Sequence, residues 1–144
     1  MTLDRFVEAQ AGMYDRALGE LRAGRKASHW MWFVFPQIAG LGRSETARFY
    51  ALADLTEARA YLTHPVLGPR LVEATRAVIA APGSAASILG AVDAVKLRSS
   101  MTLFEAAATQ PGGFEATAGD PAPFRAALDR FFGGARDPAT LGRF

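Results

Sequence analysis

Two short stretches hold most of the residues able to do distinctive chemistry. Lys26 to Gln37 contains both tryptophans, one of the two lysines and one of the two histidines of this 144-residue chain. Lys96-Leu97-Arg98-Ser99-Ser100-Met101 contains the other lysine. In the first stretch Lys26, Ser28, His29 and Gln37 bracket an apolar run from Trp30 to Phe35. An apolar wall with a few polar groups at its rim is how small-molecule pockets are commonly built. Trp30 and Trp32 offer flat π faces for stacking on a base or ring. His29 is the better histidine for acid–base work, since an unperturbed imidazole titrates near neutrality. In the second stretch Lys96, Arg98, Ser99 and Ser100 combine cations with hydroxyls in the first turns of a predicted helix. Positive charge there opposes the helix dipole, and a cluster that works against local stability points to anion binding.

Between the two lies Gly40-Leu41-Gly42-Arg43-Ser44-Glu45. Glycines let backbone N–H groups approach an anion, and Arg43 and Ser44 precede a helix start. The stretch lacks the lysine and the spacing of a P-loop. Glu45 and Glu105 are the acids nearest the two clusters, and His29 with Glu45 form the candidate proton-handling pair. Plainer readings of the same residues also exist. The aromatic run is what a hydrophobic centre looks like, the charges could be a solvated face, and His64 before Pro65 reads as a helix-entry residue.

The rest of the composition narrows the chemistry. There is no cysteine, which excludes disulfides, thiol catalysis and thiolate zinc sites, and two histidines make a poor metal inventory. No catalytic serine elbow and no cofactor fingerprint is present, so no cofactor is expected. The net charge is only +2 and no basic run exists, so nucleic-acid binding is not expected. Arginine outnumbers lysine 14 to 2, which makes Lys26 and Lys96 conspicuous. The longest apolar run is far short of the roughly 20 residues of a membrane span. Met1 to Arg5 lack the basic-then-apolar pattern of a signal peptide, so a cytoplasmic protein is expected.

Helical periodicity must position these residues. Residues 3–23 carry one apolar stripe and stop at Gly24. The aromatic run predicts a short buried helix passing into an extended turn closed by Pro36, with Ser28 as a candidate cap. Helices follow at 45–53, from the Asp54/Glu57 capping box to Thr63, after His64-Pro65 to Ala81, at 84–89, at 94–109, at 124–132 and in a last turn near Leu141. Residues 110–120 read as a surface loop. The expectation is an all-α chain, one compact domain over residues 1–144 with about seven helices.

His29-Trp30-Met31-Trp32-Phe33-Val34-Phe35-Pro36-Gln37, Gly40-Leu41-Gly42-Arg43-Ser44, His64-Pro65-Val66-Leu67-Gly68-Pro69-Arg70-Leu71, Lys96 to Phe104 and Leu128-Asp129-Arg130-Phe131-Phe132 together resemble domain-of-unknown-function family 1810. Its bacterial members often carry the label "calpastatin". The resemblance spans nearly the whole chain and implies a compact, mainly helical single domain without an assigned activity. A looser similarity of pattern is to the helical NADAR proteins, which act on N-glycosidic bonds of ribosylated compounds and also pair a Trp/Phe-rich segment with a basic one. Two functional expectations result. One is a pocket that binds, and could hydrolyse, a phosphorylated nucleotide-like or ribosylated small molecule. Lys26, Ser28, Trp30, Trp32, Gln37, Arg43, Ser44, Lys96, Arg98, Ser99 and Ser100 would bind it, and His29 and Glu45 would handle protons. The other is a non-catalytic module meeting an acidic protein partner. A cleft joining residues 26–37 with 96–100 favours the first.

Overall fold

A computed structural model describes residues 3–109 and 120–144 of the chain. Ten helices occur among them: α1 (Asp4–Gln10), α2 (Tyr14–Arg22), α3 (Met31–Val34), α4 (Glu45–Phe49), α5 (Leu55–Thr63), α6 (Leu67–Ala80), α7 (Ala85–Leu89), α8 (Ala91–Thr109), α9 (Ala122–Phe132) and α10 (Pro138–Leu141). The expected helix over 3–23 is two helices. Gly12, with φ +87°, turns the chain where a side chain would be strained. The helix expected at 94–109 begins three residues earlier, at Ala91. The loop expected at 110–120 falls almost wholly outside the described residues.

α8 is the central element, packed by α5, α7, α9 and α10. It buries Leu97, Ser100, Met101, Leu103, Phe104 and Ala107 on one side and Ser99 and Thr102 on the other. That is the pattern of a helix surrounded by neighbours rather than lying on a surface. Thr102 is tolerated because its hydroxyl donates back to the Arg98 carbonyl, and Ser99 because its hydroxyl donates to the Asp137 carboxylate, while Ser100 Oγ is buried without a partner among the described residues. A chain of rings, Phe6–Tyr61–Phe104–Phe124, runs through the core at centroid distances of 5.2, 5.4 and 5.8 Å.

The aromatic run behaves as its sequence implies. α3 is a single buried turn, followed by extended backbone. Gln37 and Ala39 bond to Leu52 at 2.9 and 2.8 Å, making an isolated parallel bridge; no strand occurs among the described residues. The cap expected at Asp54 is present, its carboxylate accepting from the Glu57 N–H. Glu57 reaches back one residue further than a standard box, to the Ala53 N–H. Such caps are worth about 1 kcal/mol each. His64 is a helix-entry residue: its Nδ1 accepts from the N–H groups of Val66 and Leu67.

Candidate functional site

The two lysines meet. The Lys26 N–H donates to the Ile88 carbonyl at 2.7 Å, tying the start of the aromatic stretch to the end of α7. Gly90, φ +91°, then turns the chain directly into α8. Asp93, in the first turn of α8, therefore stands beside Lys26. Its carboxylate accepts from Lys26 Nζ at 2.9 Å and from Lys96 Nζ at 3.3 Å. Lys26 is the more enclosed lysine, at 10% side-chain exposure against 22% for Lys96. Each ammonium also lies over an indole, Lys26 5.3 Å from the Trp30 ring centre and Lys96 4.7 Å from that of Trp32. One carboxylate facing two ammonium groups leaves one positive charge in excess, and Lys96 is the better placed to use it. Because α8 starts at Ala91, Asp93 complements the helix dipole and Lys96 sits in the second turn. The expected conflict with the dipole is correspondingly weaker.

A second carboxylate organises the other half of the stretch. Glu20, on the last turns of α2, accepts from the N–H groups of Ala27 and Ser28, the Ser28 hydroxyl and Trp30 Nε1, all at 2.8–2.9 Å. Burial alone would raise its pKa. The donors from Ala27, Trp30 and Ser28 outweigh burial and hold it at about 2. Ser28 is thus a partner of Glu20 rather than a helix cap or a free ligand group. Trp30 is fully buried and offers no face to a ligand.

Trp32 is different. It is half-buried and lines a concavity of about 520 Å³ with His29, Phe33, Glu45, Thr46, Phe49 and Tyr50. A second concavity of about 460 Å³ is lined by Gln37, Leu41, Gly42, Val92, Val95, Lys96, Ser99, Asp137 and Ala139. The Lys96–Trp32 contact stands between them, since Lys96 lines one and Trp32 the other. A larger cavity of about 700 Å³, between α5, α6 and α9, holds none of the rare residues, and Asp120 at its edge adjoins the part of the chain outside the described residues.

The remaining candidates divide. His29 and Glu45 do face one space, and Gln37, Lys96 and Ser99 face the other. Ser99 is largely buried and its hydroxyl donates to Asp137 Oδ2 at 2.9 Å, a carboxylate that also accepts from Thr140. Burial would raise the Asp137 pKa, but these two hydroxyl donors and nearby backbone N–H groups lower it. Arg98 is spent on structure, donating to the carbonyls of Ala135 and Arg136. Ser100 lies one turn beyond Lys96 on the same side of α8, but it is sealed in the core and lines neither concavity. Ser44 caps α4, its hydroxyl oxygen accepting from the Ala47 N–H. Arg43 is exposed. Glu105 is paired with Arg125 and Arg136, which hold its carboxyl below the ordinary range.

Sequence reasoning missed the organising acids Glu20 and Asp93 and the rings of Phe49 and Tyr50. Only the Asp93/Lys96 spacing of three residues carried a readable signal, as a helical ion pair.

No group of three or more potential metal ligands occurs among the described residues, and no helix among them is long and apolar enough to cross a membrane. The structure is similar to the crystal structure of a conserved hypothetical protein from Mycobacterium tuberculosis. The TM-score is 0.86 and the identity 48%, covering 97% of this chain and 94% of that one. No curated protein matches. The family described as "Protein of unknown function (DUF1810)" matches residues 1–144, and the chain belongs to it.

Proposed function

We propose that this chain binds a small phosphorylated molecule, nucleotide-like or ribosylated, across the Trp32 cleft. The ring of the ligand packs on Trp32, and its phosphate lies towards Lys96, the accessible cation of the Lys26–Asp93–Lys96 group. His29 and Glu45 line the same concavity as Trp32 and are the groups offered for proton movement in a hydrolytic step. The observation that supports this reading most is the convergence of two stretches sixty residues apart in sequence. The stretch 26–37 and the start of α8 share Asp93 and the Lys96–Trp32 contact, and Gln37 lines one cavity with Lys96 and Ser99.

The test is a thermal-shift screen with ADP-ribose, NAD, nucleotides and sugar phosphates, run on the wild type, Lys96→Ala and Trp32→Ala. The reading expects a ligand that raises the melting temperature of the wild type and loses most of that effect in both variants. One observation favours the second reading, a protein-interaction module. Val92 and Val95, which line the Lys96 cavity, are 71% and 63% exposed. The absence of a shift with every ligand, in wild type and variants alike, would leave that reading standing.

A further inference from the structure

We propose that the concavity lined by Trp32, Phe33, Phe49 and Tyr50 is a site for an organic cation of the alkylammonium type. Four aromatic residues border one space. Their rings form walls rather than a stack: Phe49 and Tyr50 meet at 4.8 Å and 83°, Phe33 and Tyr50 at 5.4 Å and 53°. Phe49 is 57% exposed, so core packing does not account for it. The backbone that carries it is nonetheless held, because Arg5 donates to the Phe49 and Ala51 carbonyls at 2.8 and 2.9 Å.

The electrostatics of the space agree with the rings. Glu45 and Phe49 are four residues apart on α4, so both project from one face of that helix. Glu45 is the only acidic residue lining the concavity, His29 is the one basic side chain there with no lysine or arginine, and Glu45 has no ion-pair partner among the described residues. Lys96, the cation nearest the Trp32 ring, lines the other cavity and is already paired with Asp93. Negative ring faces beside an uncompensated carboxylate attract a large, weakly hydrated cation, which the rings desolvate at little cost and the carboxylate balances. No lysine or arginine on this side offers a phosphate a permanent positive charge. The inference rests on the proposed function only in taking this concavity as a ligand site, and it does not require a phosphate at Lys96.

The experiment compares choline with 3,3-dimethylbutan-1-ol, which has the same branched head without the charge, by isothermal titration on the full chain. Choline should bind about tenfold more tightly than the alcohol. Glu45→Gln should weaken choline several-fold and leave the alcohol unchanged, and Phe49→Ala should weaken choline further. Both side chains are exposed, so both variants should keep the wild-type melting temperature. Equal binding of the two probes, or no binding of choline, overturns the cation site. A parallel titration with ADP-ribose on Lys96→Ala reads the phosphate side separately. A failed choline arm beside an ADP-ribose response that needs Lys96 would remove this inference and leave the proposed function intact.

Discussion

Trp30 and Trp32 are two residues apart on one short segment, and their surroundings are opposite in kind. Trp30 is closed off from solvent, its N–H held by Glu20, a carboxylate that accepts from four donors. Trp32 is half-buried, its ring under Lys96, beside a carboxylate that two lysines share. The difference separates structure from potential function. A carboxylate that takes three donors on Oε1 and one on Oε2, with Arg16 at 3.5 Å from the latter, is committed to holding the chain. An ammonium that shares its counter-charge and keeps some exposure can exchange part of that pairing for a bound anion. The Glu20 side makes the platform, and the Trp32 side is the part that can respond.

Four predictions break or sharpen this contrast. Trp30→Ala should cost the most, roughly 3–5 kcal/mol of unfolding free energy by chemical denaturation, because it empties a sealed part of the core. A similar cost for Trp32→Ala would erase the distinction between the two residues. Glu20→Gln should cost about 2 kcal/mol, since donors aimed at a charge would face a neutral amide. The pH dependence follows from its lowered pKa. The folded value of about 2 lies below the ordinary 4.5, so its contribution is complete above that ordinary value and disappears as pH falls towards 2. The stability gap between wild type and Glu20→Gln should therefore be full at pH 7 and close progressively from about pH 5 downwards. Asp93→Asn should cost about 1 kcal/mol, by leaving two neighbouring ammonium groups without a full counter-charge. It should also tighten binding of a phosphorylated ligand several-fold, measured by titration calorimetry; weaker binding would contradict a phosphate placed at Lys96. Lys96→Ala and Trp32→Ala should change stability least, by less than about 1 kcal/mol, while removing the ligand response.

The legible and illegible parts of this chain differ for physical reasons. The short helix at α3, the Asp54 cap and the helix entry at His64 could be read because each depends on residues a few positions apart. The segment's two rare lysines could be noticed by type. Their meeting could not, because it depends on the Lys26 N–H finding the Ile88 carbonyl and on Gly90 turning α7 into α8. Glu20 looked like one more charge on the polar face of a long helix. Its role appears only once α2 has ended and the chain has folded back over it. The burial of Ser100 was hidden for a related reason: periodicity sets a residue's angle on α8, but neighbours cover that helix on nearly every side. The break at Gly12 shows the same limit from the other direction, because the apolar stripe continues across a turn that separates two helices.

The central claim is that Trp32, and not Trp30, faces a ligand. The chain has two tryptophans, so a nitrogen–proton correlation spectrum of the folded protein gives two indole N–H signals, assignable with Trp32→Phe. Titration with ADP-ribose and, separately, with choline should move the Trp32 signal and leave that of Trp30, held on Glu20, in place. A Trp32 signal unmoved by either ligand, or a Trp30 signal that moves while Trp32 stays, would contradict the account.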